Sequence, residues 1–459
     1  MIFAFYNTTI KEEIEEASYK IGDIKQTVRS NLGNNWLPCN GDFIDSVKYP
    51  ELWNLQNVSL TGILDTKEMF NDSSLSGTLQ NRDYVNFNGY FVMIDNLYNS
   101  SNTILDLRYT NDNGKTWGNT KLTIDRIPYL IYATASSNYI MVTFDYSESD
   151  SSEGISVKVV FINKQWNVSN VISTITGNTT LYGRSSLDNC FYVNGYFVAA
   201  IRYVGNSGTS SVWGNFFIIF NDGSTAYTVK QVSNMRSSEG QSNAGIYGIK
   251  YYNSKYYFCS KQLDTETLQT VCIYESNTIN GDYSIIATIN PGEIYGKNVY
   301  TRNIFCNTYD DTENFIVAYY DNSDNVGFIS KFGIQTQNLT TILQTGYNSQ
   351  LYSTDFLTTM FVFGNDIYLI PYNRESSSYK KAVIYQVKDN KLVKLAETSN
   401  TFNSWGSCMT NLFSAIITGS YTLTSYDQIK FGKYLPVIPA DVNDNSYKGY
   451  IKAKNSDDT

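Results

Sequence analysis

The stretch Tyr84–Ile94, YVNFNGYFVMI, places two β-rich runs on either side of Asn88-Gly89. Asn-Gly tolerates positive φ at both central positions of a type I′ turn, so this dipeptide between alternating runs reads as a tight hairpin. CFYVNGYFVAAI, Cys190–Ile201, repeats the pattern around Asn194-Gly195. Weaker copies are YATASSNYIMVTF from Tyr132, IKYYNSKYYFCS from Ile249, IFCNTYDDTENFIVAYY from Ile304, MFVFGNDIYLIPY from Met360 and SCMTNLFSAIITG from Ser407. The second and seventh are the faintest, so the array holds seven units or six.

Each hairpin is followed by a further strand-like run, from TILDLRYTNDNG in the first unit through NFFIIFNDGS and LQTVCIYESN to YTLTSYDQIKF in the last. A unit of about 50 residues with three or four antiparallel strands is the sequence signature of a propeller blade. The expected fold is therefore an all-β propeller of seven blades, or six, spanning residues 75–425. Closing the ring removes the exposed strand edges that would otherwise aggregate.

Composition narrows the function classes. The chain has 459 residues, a formal net charge of −9 and no basic cluster, so it lacks the surface that neutralises phosphates, and no nucleic-acid partner is expected. No run of about 18 apolar residues marks a membrane span, and no signal peptide is visible. There is no histidine, which removes His-based triads and the commonest metal ligand. Cys39, Cys190, Cys259, Cys272, Cys306 and Cys408 show no CxxC pairing and read as buried free thiols. No cofactor and no metal site are expected. The 39 tyrosines supply both β-formers and faces that stack on sugars.

YTNDNGKTWG, Tyr109–Gly118, has Thr110-x-Asp112-x-Gly114-x-x-Trp117, a spacing that resembles the Asp-box of sialidase-like propellers. The resemblance implies a turn between the last two strands of a blade. Asp112 would accept backbone N–H bonds, Gly114 would take the special dihedral and Trp117 would pack on the blade. Asn221-Asp222-Gly223 is a remnant of the same turn. Such turns report architecture and say little about activity.

The chain ends differ in character. Ile10, Ile14, Ala17, Ile21, Ile24 and Val28 alternate four and three apart, a short heptad seam whose Ile-rich core favours trimers. Residues 1–20 read as an attachment or oligomerisation helix, docking either on copies of itself or on its own chain. Ile21–Trp53 then resembles the tail-collar-type module of phage tail fibres. Trp36, Leu37, Pro38, Cys39 and Gly41 match its G-W-L-x-C-x-G pattern, and Tyr49, Pro50, Leu52 and Trp53 match its Y-P-x-L-[FWY]. YLPVIPA (Tyr434–Ala440) and YKGYIKAK (Tyr447–Lys454) resemble the segments that finish the module. The organisation expected is a collar-like module split into residues 21–74 and 426–459, with the propeller inserted between its halves.

Three functions follow. A sialidase-like enzyme needs an arginine cluster and a Tyr–Glu nucleophile; Arg126-Ile127-Pro128 echoes the sialidase Arg-Ile-Pro but follows the only complete Asp-box, whereas in sialidases it precedes them. No carboxylate pair can be identified, and enzymatic activity is not expected. A glycan-binding adhesin needs only polar, aromatic loops and multivalency, and Trp213 beside YVGNSGTSSVWGN is the candidate contact. A structural virion protein would lack a ligand. The expectation is a trimeric phage tail-fibre or baseplate receptor-binding protein. It would contact other virion proteins and host surface polysaccharide, sit on the virion, and be assembled in host cytoplasm.

Overall fold

The computed structural model describes residues 19–27, 32, 35–39, 49, 51–52, 61–68, 82–99, 102–111, 116–124, 128, 130–145, 157–172, 183–205, 214–234, 245–263, 269–289, 304–307, 313–321, 326–344, 360–363, 366–369, 372–374, 380–397, 405–409, 414–419, 425–432 and 448–453. Two compact units emerge, one of residues 1–63 with 430–459 and one of residues 64–429.

The larger unit is a β-propeller. Seven sheets succeed one another along the chain, with strands lettered a to d in the order in which they pair. Blade 1 comprises Arg82–Phe87, Tyr90–Asn99, Asn102–Thr110 and Gly118–Ile124. Blade 2 comprises Leu130–Ala135, Tyr139–Asp145, Val157–Asn163 and Val168–Ile172, and blade 3 Gly183–Val193, Tyr196–Gly205, Gly214–Asn221 and Tyr227–Asn234. Blade 4 comprises Gly245–Tyr252, Lys255–Leu263, Gln269–Ser276 and Ser284–Ile289, and blade 5 Ile304–Asn307, Asn314–Asp321, Val326–Gly333 and Leu339–Gln344. In blade 6, Met360–Phe363 pairs Asp366–Leu369, strand b resumes at Tyr372–Arg374, and both pieces lie on Lys380–Lys388, followed by Lys391–Glu397.

Blade 7 takes strands a to c from Trp405–Met409, Ser414–Gly419 and Ser425–Gly432, while its outermost strand is Thr61–Glu68 from the other end of the chain. The propeller's strands thus extend beyond both expected limits, 75 and 425. The reason is physical: a last blade ending on strand c would expose an unpaired edge, and an early segment of the chain covers it. The count is seven.

All seven sequence copies are the a–b hairpins of these blades, and the runs behind them are the c strands. Asn88 and Gly89 have φ of 48° and 81°, and Asn194 and Gly195 have 46° and 84°, as type I′ requires. Asn253 and Ser254 make the same turn without glycine, at 47° and 62°.

Blades bury both faces of their central strands. In Gly214–Asn221, Phe216, Ile218 and Phe220 join Phe161, Phe197 and Leu187 between blades 2 and 3. On the opposite face of that strand, Phe217 and Ile219 join Ile246, Phe258 and Tyr274 between blades 3 and 4. This is why the strand reads as a continuous apolar run rather than an alternation. Burying each such Phe stabilises the stack by about 1.5–3 kcal/mol. Similar layers separate blades 1 and 2 and blades 4 and 5. Inner strands touch in succession from blade 1 to blade 5, and Trp405–Met409 of blade 7 returns to Arg82–Phe87, closing the ring.

The smaller unit is built from both chain ends. Lys448–Lys452 runs between Ile24–Thr27 and Trp36–Pro38, antiparallel to both, with Ile24 opposite Ile451 and Trp36 opposite Lys452. Cys39, Tyr49, Leu52, Ile451 and Ala453 form its core, and Trp36 is buried beneath the Lys452 ammonium at 5.3 Å. Of the expected collar-like positions, Trp36, Cys39 and Tyr49 are therefore buried there. Gly41, Pro50 and Trp53 lie outside the described residues, as does the expected helix up to residue 18.

The expectation of free thiols needs correction at one position. Cys39, Cys190 and Cys272 are free and buried, but Cys259 is disulfide-bonded. It lies on strand b in the apolar layer between blades 4 and 5, and no sequence spacing betrays its bond.

Candidate functional site

Antiparallel order within the blades sorts the connections onto two faces. The a–b and c–d turns lie at one end of the strands, the b–c and d–a connections at the other.

Among the described residues the turn end is stitched from blade to blade. Asn88 Nδ2 donates to Ser137 O at 3.0 Å, and Asn194 Nδ2 donates to the Tyr256 hydroxyl at 2.8 Å. Asp222 of the Asp-box remnant accepts from Ser136 Oγ at 3.0 Å and Asn138 Nδ2 at 3.4 Å in blade 2, and from Tyr192 OH at 3.3 Å in its own blade. Trp166 stacks on Tyr109 with centroids 3.5 Å apart and planes 3° off parallel, tying the blade 2 turn to blade 1. Trp166 holds φ of 64°, a left-handed conformation supported by two N–H bonds to Asn163 Oδ1, from Gln165 and Asn167. These contacts hold the ring together and leave the turn end committed to structure.

The segment Tyr109–Gly118, which resembles the Asp-box, connects strands c and d of blade 1. Trp117 is half-buried with its ring edge-on to Phe91 at 6.2 Å; Asp112 and Gly114 lie outside the described residues. So does Trp213, in the b–c connection of blade 3.

A different set of residues converges on the axis. Asp83, Tyr132, Asp188 and Tyr247 belong to the a strands of blades 1, 2, 3 and 4. Asp188 and Tyr247 are each the extra residue of a β-bulge, between Leu187 and Asn189 and between Ile246 and Gly248. A bulge re-aims one side chain out of the ordinary alternation. Here it does so at the same distance from the a–b turn in two adjacent blades.

Asp83 Oδ2 accepts the Ala133 N–H at 2.6 Å, and Asp188 Oδ2 accepts the Ile246 N–H at 3.3 Å, so each carboxylate also latches its blade to the next. Arg202 Nη2 stands 3.7 Å from Asp188 Oδ1. Burial pushes the Asp83 carboxyl up to about 7 despite the Ala133 and Tyr84 N–H groups. Burial does the same for Asp188, to about 7, against the pull of Arg202 and the Ile246 N–H. Burial also lifts Tyr132 well above the ordinary phenol range, and the charges of Asp188 and Asp83, together with Tyr247 and Cys190, add to it. Tyr247 is raised by burial and by Asp188. Tyr132 of blade 2 thus has titratable neighbours on blades 1, 3 and 4.

The sequence reading missed these residues; it found no carboxylate pair. The available signal was positional. Asp188 and Tyr247 stand the same number of residues ahead of Asn194 and Asn253, and Asp83 stands one fewer ahead of Asn88, in a strand without a bulge. Two Tyr–Glu contacts are present among the described residues: Tyr252 OH donates to Glu313 Oε2 at 3.2 Å, and Tyr257 bonds Glu275, where burial first, then Glu275, pushes that phenol up to about 12. Arg126 of the Arg-Ile-Pro echo lies outside the described residues. No group of three or more metal-ligating side chains occurs among the described residues.

No family model matches the chain, and no curated protein matches it. Solved structures are similar in fold. Polysaccharide lyase Uly1 is 12% identical with a TM-score of 0.49, covering 90% of this chain and 99% of its own. Trypanosoma rangeli sialidase is 9% identical with a TM-score of 0.41, the match covering 82% of this chain and 60% of the sialidase. Phage phi92 endosialidase is 9% identical with a TM-score of 0.42, covering 82% of this chain and 70% of the endosialidase. These propellers are named as enzymes, so the expectation of a protein without enzymatic activity does not stand. The likeness is one of fold, and sequence and fold together identify the chain as an all-β propeller without assigning it to a family.

Proposed function

We propose that the chain is a glycan-directed β-propeller that serves as a receptor-binding protein of a phage tail fibre or baseplate. Host surface polysaccharide would be engaged at the end of the ring opposite the stitched turns. The observation that carries the glycan reading is the convergence of Asp83, Tyr132, Asp188 and Tyr247 from four blades on one axial site. Hydroxyl donors, carboxyl groups and aromatic faces in one place are what a sugar ring requires. The phage reading is supported by the pairing of both chain ends in one small sheet around Trp36, Cys39 and Tyr49, the positions that resemble the tail-collar-type module. That module, with residues 1–20, would attach the protein to other virion proteins and hold three copies together. Three weak sites in one assembly then bind by avidity.

Retention on immobilised bacterial surface polysaccharides tests the glycan reading. Retention lost in Tyr132→Ala and Tyr247→Ala, with folding preserved, is expected. Equal retention of wild type and both variants refutes the axial site, and no retention on any polysaccharide refutes the function. Mass photometry tests the trimer, and a monomer at micromolar concentration refutes it.

A further inference from the structure

Of the six cysteines, Cys259 is disulfide-bonded while Cys39, Cys190 and Cys272 are free, which leaves Cys306 and Cys408 as candidate partners. Position in the ring separates the two. Lys255–Leu263, the strand of blade 4 that carries Cys259, packs against Ile304–Asn307, the innermost strand of blade 5. Cys306 stands opposite Val317 in the blade 5 ladder, and Val317 shares with Cys259 the buried layer between blades 4 and 5. Residues directly opposite one another in a ladder share a face of the sheet. Cys408 belongs to Trp405–Met409, the first strand of blade 7, with blades 5 and 6 intervening. A disulfide needs Cα atoms within about 7 Å, a reach that an adjacent strand satisfies and a strand three blades on does not. Cys272, on the neighbouring strand of the same blade, joins the layer toward blade 3 and so lies on the other face from Cys259.

We propose that Cys259 is bonded to Cys306, and that this bond is a redox-dependent clasp on the seam between blades 4 and 5. The inner strand of blade 5 has four residues, against eleven in blade 3 and eight in blade 4, so its own ladder holds it weakly. At the bulge where blade 3 presents Asp188 to the Ile246 N–H, blade 4 presents Tyr247, so that carboxylate latch is not repeated from blade 4 to blade 5. Lys250 Nζ donates to Asn314 O at 2.7 Å and ties strand b of blade 5 to blade 4; the clasp ties strand a.

In a reducing compartment the pair stands as two thiols. Closure is exchange with a low-molecular-weight disulfide such as oxidised glutathione. One cysteine thiolate attacks it, releasing one glutathione thiolate and leaving a mixed disulfide; the second cysteine thiolate then displaces the other glutathione as the S–S bond forms. The protein pair loses two electrons and two protons, and the glutathione disulfide gains them as two thiols. Cys259 is fully buried, so exchange in either direction requires the short blade 5 strand to part from blade 4. The closed bond restrains the strand that must move, which shields it from reductant in the folded protein.

The test uses full-length protein, freshly reduced, divided between dithiothreitol and oxidised glutathione, desalted, alkylated in denaturant and digested with trypsin without further reductant. Trypsin releases Cys259 on Tyr256–Lys261, apart from the peptides of the other five cysteines. After oxidised glutathione, the expected product is this peptide joined to the one carrying Cys306, two hydrogens lighter than their sum, with the other four cysteines alkylated. Alkylated Cys259 in that sample, or a link to Cys408, overturns the assignment. Urea midpoints test the clasp. The oxidised form is expected to unfold at higher urea than the reduced form, with the difference lost in Cys306→Ser and in Cys259→Ser and kept in Cys408→Ser. Equal midpoints for the two forms of wild type, or a difference that survives in Cys306→Ser, overturns it. Dithiothreitol is expected to open the bond about 10-fold or more slowly in folded protein than in urea-unfolded protein, and equal rates overturn the shielding.

Discussion

Replacing Asp83 by Asn should stabilise the propeller, and more so as the pH rises. The Asp83 carboxyl is displaced by burial from the ordinary value of 3.8 to about 7. Between those two values the folded chain holds a proton that the unfolded chain has released, so stability falls as pH climbs through that window. The contribution is whole below pH 3.8 and lost above 7. Each pH unit of displacement is worth about 1.4 kcal/mol, which puts the cost of the ionised form at no more than about 4 kcal/mol at pH 8. Relaxation around the charge brings the observable gain to roughly 1–3 kcal/mol. Asparagine carries no charge at any pH and keeps an oxygen for the Ala133 N–H, so the inter-blade bond at 2.6 Å survives. Urea unfolding midpoints by tryptophan fluorescence, at pH 4, 5 and 8, supply the comparison. The variant should match wild type within error at pH 4, gain at pH 5 and gain further at pH 8. A variant equal to wild type at pH 8, or less stable at every pH, refutes the idea that a buried neutral acid is being forced to ionise there.

Asp188→Asn should gain less than Asp83→Asn at pH 8, because it leaves Arg202 without the partner at 3.7 Å; the same urea midpoints show it. Gly89→Ala, at φ of 81° with open space around the added carbon, should cost about 1–2 kcal/mol from the left-handed backbone alone. Gly118→Ala should cost more than that and quench differently in tryptophan fluorescence, because its Cβ would fall on the Tyr109 ring that stacks on Trp166. Phe217→Ala, fully buried between blades 3 and 4, should cost about 3–5 kcal/mol by chemical denaturation. Reduction of the Cys259 disulfide should lower the unfolding midpoint, and Cys259→Ser should abolish that sensitivity.

What the sequence disclosed tracks how local each determinant is. The a–b hairpins were legible because Asn88-Gly89 and Asn194-Gly195 write their turn geometry into adjacent residues, and the c strands because both faces of runs such as Phe216–Phe220 are buried. Strand d is harder to see. Gly118–Ile124 and Ser284–Ile289 are mostly half-buried or exposed, so their residues carry little apolar pattern. Thr61–Glu68 is harder still, since its partner strand lies at the opposite end of the chain and no local signal says that it completes blade 7. The axial site was missed for a related reason. A bulge is defined by a register shift against the neighbouring strand, so Asp188 and Tyr247 look like ordinary members of their strands until the pairing is known.

The two ends of the ring therefore divide the work by a simple rule of connection geometry. Two-residue turns cannot vary without breaking a hairpin, and the side chains flanking them are spent on bonds such as Asn194 to Tyr256 and Ser136 to Asp222. Longer connections at the opposite end, such as b–c of blades 2 and 3, are free of that constraint, so variation for ligand recognition can accumulate there while the blades persist. Asp83 and Asp188 fit this division only if they are more than latches. As latches alone they are poor choices, because an asparagine would accept the same N–H without the cost of ionising above neutrality. A residue that costs stability where a cheaper one would hold the same bond is not explained by that bond, and Asp83→Asn isolates the cost: the Ala133 N–H keeps its acceptor and the variant is more stable at pH 8.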